Sequence, residues 1–119
     1  MRLLLLIAGP LLCSLMPALA QVQTARQLTL VNGTLPAAQR LIVATKGEAL
    51  RWRLDSNVAG TVHVHAYRVS VALRPGQAVD LAFTAHATGR FRIEWHAAGE
   101  AGPGPHHAPP LAMLEVRPP

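Results

Sequence analysis

VDLAFTAHATGRFRIEW, residues 79–95, contains two runs of alternating apolar and polar side chains, separated by one short turn. Every second residue is apolar in the first run, residues 79–84. The second run, residues 91–95, repeats this pattern after a turn at Thr88-Gly89. Successive side chains of a β-strand point to opposite faces of a sheet, so this period of two predicts a pair of half-buried strands.

The rest of the chain has the same character, with short apolar or alternating runs between turn residues and almost no helical periodicity. Strands are predicted at Leu28–Val31, Leu41–Ala44, Leu50–Leu54, Val62–His65 with the alternating Tyr67–Leu73 after it, and Leu111–Val116. Turns are predicted at Asn32-Gly33, Lys46-Gly47 and Pro75-Gly76. About seven short strands at this spacing predict an all-β fold, either a two-sheet sandwich or a small barrel.

The N-terminus has the features of a secretory signal peptide. Residues 1–20 combine a basic start, the apolar run Leu3–Leu12 and small residues up to Ala20. The apolar run is about half of the ~20 residues that a bilayer span requires, so we predict cleavage and no retained span. One periplasmic or secreted domain, residues 21–119, then remains. Cys13 is lost with the signal peptide, which leaves a domain without thiols.

The charge balance is basic, with 11 lysines and arginines against six acidic residues. The arginines do not cluster: Arg51 and Arg53, for example, alternate with apolar residues along one predicted strand. This spacing is typical of a solvated outer sheet face rather than of a nucleic-acid or membrane patch. Export makes a nucleic-acid partner still less expected.

Several motifs give the chain a family resemblance. Leu73-Arg74-Pro75-Gly76, then Phe83, then Gly89-Arg90-Phe91 leading to a strand that ends in His96, resembles the second half of a cupredoxin. Val62–Tyr67 is similar to the His-x-His-Gly-Tyr segment of small exported cupredoxin-like proteins, with alanine in the usual glycine position. The resemblance covers roughly residues 28–118 and implies a Greek-key sandwich.

The chain departs from that family at the metal site. A blue-copper centre requires a thiolate, two imidazoles and a weak axial sulfur. Counted from Gly89 as in the family, the position of the copper-binding cysteine falls on Trp95. An indole supplies no thiolate, so we do not expect a blue-copper electron carrier.

Two histidines on one predicted strand are the first candidate metal ligands. His63 and His65 are two residues apart, which places both imidazoles on the same face. If the strand continued unbroken to Leu73, that face would be the core side. The pair would then lie at one end of the sandwich interior, where cupredoxins keep their metal. The alternative is that hydrogen bonds satisfy both histidines at the edge of the core.

The remaining candidates lie toward the C-terminus. His96 has the opposite parity to the apolar residues of its strand, which directs it outward unless the strand twists or bulges. His106 and His107 belong to a loop that resembles the family's metal loop, or else to a solvated histidine-rich segment. Met113 offers a thioether at the position of the family's axial ligand, but a methionine entering a strand is also a common core residue.

Imidazoles with one thioether and no carboxylate cluster favour copper, with zinc as the main competitor. We therefore predict an exported copper-binding protein for storage or transfer, whose partners are the ion and an exported copper donor or acceptor. Catalysis is not expected, because no Ser/His/Asp order or close carboxylate pair is present. Two alternatives stay open: a metal-free interaction module, and a copper enzyme or electron carrier.

Overall fold

The computed structural model describes residues 24–100 and 108–119. Eight strands form within them: β1 (Thr24–Leu30), β2 (Leu41–Thr45), β3 (Ala49–Ser56), β4 (Gly60–Val64), β5 (Val69–Leu73), β6 (Val79–Thr84), β7 (Gly89–Ala97) and β8 (Ala112–Arg117). Short 3-10 helices occupy Ala37–Gln39 and His65–Tyr67. No helix in the described ranges is long and apolar enough to cross a membrane.

Three of the sequence predictions lie outside the described residues. They are the signal peptide, the loss of Cys13 with it, and metal binding by His106 and His107. All three stay predictions.

The strands form two sheets, one of three strands in the order β1-β3-β6 and one of five in the order β2-β8-β7-β4-β5. The β1–β3 and β2–β8 pairs are parallel, and the other pairs are antiparallel. Their apolar faces meet in one core, to which Trp52, Leu54, Val62 and Leu114 contribute fully buried side chains. The predicted all-β, two-sheet sandwich is therefore confirmed, with eight strands in place of about seven.

The additional strand arises from a break after Val64. The chain turns through the 3-10 helix His65–Tyr67, and Arg68 closes the turn in the left-handed conformation with φ 54°. β4 and β5 therefore form a hairpin in which Val62 faces Val71 and Val64 faces Val69. The alternation that looks continuous in the sequence changes parity inside this turn.

This break overturns one expectation about the histidines. Val62 and Val64 are the buried residues of β4, so His63 between them points to the outer face of the sheet. His65 is exposed in the turn. The prediction that both imidazoles lie at one end of the sandwich interior is wrong. The turn itself is anchored by Tyr67, whose hydroxyl donates a 2.8 Å hydrogen bond to the carbonyl of Ala87.

The outer faces carry the dispersed arginines, several of them in ion pairs. On the three-stranded sheet, Arg51 and Arg53 lie 2.7 and 3.2 Å from the carboxylate of Asp80. The hydrogen bond from Arg51 lowers the pKa of Asp80. On the five-stranded sheet, Arg90 and Arg117 pair with Glu115 in the same way. Both arrangements agree with solvated, charged outer faces.

Candidate metal centre

Three potential metal ligands meet on the outer face of the five-stranded sheet, where β4 pairs with β7. The antiparallel register places Glu94 directly opposite His63 and His96 opposite Thr61. Side chains directly opposite each other have Cβ atoms ~4.5–5.5 Å apart, and diagonal neighbours ~7–8 Å. The strand pairing alone therefore brings His63, Glu94 and His96 within reach of one ion.

The ligand atoms of the three side chains also lie close together. One ligand atom from each of His63, Glu94 and His96 lies within 4.8 Å of the other two. Nε2 of His96 is 3.6 Å from Oε2 of Glu94, and the rings of His63 and His96 have centroids 6.2 Å apart. Ligands at ~2.0–2.1 Å from a tetrahedral ion are about 3.3 Å from one another. To hold such an ion, the three ligand atoms would have to approach one another by at most about 1.5 Å.

The face is open to solvent. The side chains of Glu94 and His96 are 31% and 32% exposed, and His63 is half-buried. An ion held here keeps part of its coordination sphere accessible from outside the protein. Such a site differs from a metal site enclosed in the end of a sandwich, because a ligand from another molecule can approach it directly.

Among the other predicted ligands that lie in residues 24–100 and 108–119, His65 is nearest to this cluster. Its ring centroid is 5.1 Å from that of His63, although it is not one of the three residues whose ligand atoms converge. Met113 lies on the same outer face but on β8, opposite Arg92. Because β8 and β4 flank β7 on opposite sides, the Met113 backbone is about 10 Å from that of β4. The structure therefore separates Met113 from His63 by one strand.

Glu94 is the potential ligand that sequence reasoning missed. Acidic residues were considered there only as paired catalytic groups, and Glu94 has no second carboxylate beside it in the sequence. Glu94 and His96 are two residues apart on one strand and so share a face, which the sequence does display. Their meeting with His63 depends on the β4–β7 register, which the sequence does not display.

Arg92 holds one side of this cluster. Its Nε lies 3.5 Å from Oε1 of Glu94, and its Nη2 donates a 2.7 Å hydrogen bond to the carbonyl of Ala108. The other carboxylate oxygen of Glu94, Oε2, faces His96. Arg92 thus orients the carboxylate of Glu94 and connects it to the backbone at Ala108.

Trp95 occupies the opposite face of β7. It packs against the core, and its indole lies so close to Gly33 that a Cβ there would be 2.5 Å from Nε1. The position of the family's thiolate is thus filled by an inward-facing ring, whereas His63 and His96 point outward. Within residues 24–100 and 108–119 there is no thiol, and the imidazoles of His63 and His96 are on the other side of the sheet from Trp95, so these residues do not fit a blue-copper centre.

His86 lies between β6 and β7 and is exposed there. Its ring lies 4.6 Å from that of Tyr67, centroid to centroid. It is not part of the converging cluster. It therefore offers a matched control for substitutions of the cluster histidines.

The fold is similar to that of several copper proteins of known structure. A chain of a heme-copper terminal oxidase dimer gives a TM-score of 0.60 at 18% identity, covering 77% of this chain and 64% of that one. A copper binding protein solved in the apo form gives 0.58 at 15% identity, over 80% and 88%. A blue copper oxidase from Nitrosomonas europaea gives 0.60 at 18% identity, over 82% and 39%.

These similarities establish a cupredoxin-like fold, as the motifs suggested. The chain spans less than two thirds of the terminal oxidase chain and of the blue copper oxidase, but most of the copper binding protein. No protein-family pattern and no curated protein sequence matches the chain.

Proposed function

We propose that this chain is an exported copper-binding protein that holds copper on the outer face of its five-stranded sheet and passes it to or from another exported protein. One observation carries the proposal: His63, Glu94 and His96 converge on a fold shared with copper proteins. The predicted signal peptide supports export to the periplasm or beyond.

The donor set suits copper. Two imidazoles and a carboxylate are nitrogen and oxygen ligands that bind copper or zinc, whereas calcium and magnesium require mainly oxygen. Copper exceeds zinc in affinity for such ligands in the general order of divalent metals. Zinc is the competitor. When bound, the ion supplies Lewis acidity or redox capacity, and the protein residues hold and expose it.

The exposure of the site favours storage or transfer over catalysis. A catalytic metal usually lies in a cleft that surrounds the substrate and excludes water. Here the three side chains stand on an open sheet face with Glu94 and His96 about a third exposed. His65, 5.1 Å from His63 between ring centroids, is a candidate for a further ligand. His106 and His107 remain candidates for the same role, whereas Met113 is one strand away from His63.

Copper titration of the purified protein tests the proposal. We expect His63→Ala combined with His96→Ala to weaken Cu(II) binding at least tenfold, which corresponds to about 1.4 kcal/mol. His86→Ala serves as the matched control and should bind as the wild type does. Equal affinity in all three proteins would refute the site.

A second measurement separates binding from incidental adsorption. An ion that binds only the folded state at 100 times its Kd stabilises that state by about 2.7 kcal/mol, so copper should raise the melting temperature of the wild type but not of the double variant.

The alternative, a metal-free interaction module, has one observation in its favour. Leu41 and Val43 on β2 are 44% and 40% exposed, an apolar strip on an outer face that suits a protein contact. This alternative predicts no change in melting temperature on addition of copper.

A further inference from the structure

We infer that the outer-face site selects Cu(II) over Cu(I), and that Glu94 makes the selection. The inference rests on the proposed function, because it concerns the same three side chains. It goes further by fixing the oxidation state of the cargo and the residue responsible.

The chemistry of the donor atoms gives the first reason. Cu(I) is a soft ion that prefers thiolate and thioether sulfur, whereas Cu(II) accepts imidazole nitrogen and carboxylate oxygen in tetragonal sites. The three converging side chains offer two nitrogens and one carboxylate. A carboxylate oxygen is a poor ligand for Cu(I), so one of the three donors is useful mainly to the divalent ion.

The placement of sulfur gives the second reason. Met113 carries the only sulfur atom in residues 24–100 and 108–119. It lies opposite Arg92 on β8, one strand beyond the β4–β7 pair that holds the cluster. Arg92 also stands beside Glu94, with Nε 3.5 Å from the carboxylate. The thioether of Met113 is therefore kept apart from the imidazoles of His63 and His96. The third ligand beside these imidazoles is the carboxylate of Glu94.

Charge gives the third reason. Coulomb attraction is proportional to the charge on the ion, so a carboxylate attracts Cu(II) about twice as strongly as Cu(I) at the same distance. His63 and His96 are neutral when they bind a metal, so they do not make this distinction. Glu94 is the one anionic group of the cluster.

Measuring both oxidation states tests the inference. Cu(II) affinity is measured by competition with a nitrogen-donor chelator, and Cu(I) affinity by competition with an aromatic diimine chelator under anaerobic reducing conditions. The variants are Glu94→Gln, which keeps the size and shape of the side chain, and Glu115→Gln as control. Glu115 is a carboxylate on the same outer face, paired with Arg90 and Arg117 and outside the cluster.

We expect Glu94→Gln to weaken Cu(II) binding about tenfold or more, which corresponds to a binding free energy of about 1.4 kcal/mol or more. Cu(I) binding should change less than about threefold. The electron paramagnetic resonance spectrum of bound Cu(II) should also change in this variant. Glu115→Gln should leave both affinities and the spectrum unaltered. Melting temperatures of both variants establish that the comparison is made between folded proteins.

The result that overturns the inference is an equal effect of Glu94→Gln on both ions, or no effect on either, while His63→Ala still weakens binding. If removal of His63 and His96 changes neither affinity, the proposed function itself fails. The two failures are thus distinguished by the histidine variants.

Discussion

Substitution of Gly33 by alanine tests how Trp95 is held, and through it the strand that carries two of the three ligands. Gly33 lies in the turn after β1, where Asn32 and Gly33 both have positive φ, 51° and 74°. A Cβ at Gly33 would lie 2.5 Å from Nε1 and 2.7 Å from Cδ1 of Trp95. Because ordinary contacts between carbon atoms begin near ~3.5 Å, the ring must move about 1 Å.

The expected cost has two parts. Alanine in the left-handed region costs about 1–2 kcal/mol, and overpacking in a filled space costs about 1–3 kcal/mol. Gly76 isolates the first part, since its φ is 76° and a Cβ added there would have no atom within 4 Å. Gly33→Ala should therefore be less stable than Gly76→Ala by about 1–3 kcal/mol.

Urea denaturation and thermal melting measure this difference, which corresponds to at least about 4 °C in a domain of this size. Trp95→Leu removes the indole ring. In that background, Gly33→Ala and Gly76→Ala should therefore lower the free energy of unfolding by the same amount. Trp95 lies between Glu94 and His96 on β7, so we also expect Gly33→Ala, but not Gly76→Ala, to weaken copper binding. Equal destabilisation by the two variants with Trp95 present would refute the packing argument.

The remaining predictions concern Trp95, Asp80 and Arg92. Trp95→Cys places a thiol on the inner face of β7, away from the outward imidazoles, so the Cu(II) form should lack an intense thiolate absorption; a blue protein would contradict the assignment. Asp80→Asn removes a carboxylate whose pKa is lowered below its ordinary 3.8 by the hydrogen bond from Arg51. That pairing stabilises the fold above pH 3.8 and is lost as the pH falls through the lowered pKa. The difference in urea midpoint between wild type and Asp80→Asn should therefore disappear in acid, and a difference that persists there would contradict the pairing. Arg92→Lys keeps the positive charge beside Glu94 but loses the planar guanidinium that also donates a hydrogen bond to the carbonyl of Ala108, so Cu(II) affinity should fall about tenfold, as for other groups that orient a ligand; an unchanged affinity would contradict that role.

The candidate site lies on the outer face of the cupredoxin-like fold and not at an end of its interior. Trp95 faces inward at the position that the resemblance assigns to the thiolate, and its indole leaves no room for a Cβ at Gly33. The histidines instead stand on a face that another protein can contact. An ion held there would be open to exchange with a partner, which is the proposed role.

Much of the fold was predictable from local patterns. The alternation in residues 79–95 predicted β6 and β7, and both are confirmed. The turn at Asn32-Gly33 is also confirmed, because its two positive φ values are those that Asn-Gly adopts in tight hairpins. These features depend on neighbouring residues alone, and the sequence displays them directly.

The candidate site was only half predictable. The outward direction of His96 followed from its parity along β7, and the structure agrees with it. The direction of His63 did not follow, because the change of parity occurs in the turn closed by Arg68, a residue with no sequence mark of a left-handed conformation. Glu94 had no assigned role until its register with His63 was known.

The sequence by itself thus determined the fold class, since the alternation is a local property, and it predicted that a blue-copper thiolate is missing, since Trp95 stands where the resemblance places the cysteine. Only the tertiary structure decided where a metal could be held. Strand pairing between β4 and β7 joins residues about thirty positions apart in the chain, and it is this long-range register that brings His63, Glu94 and His96 together.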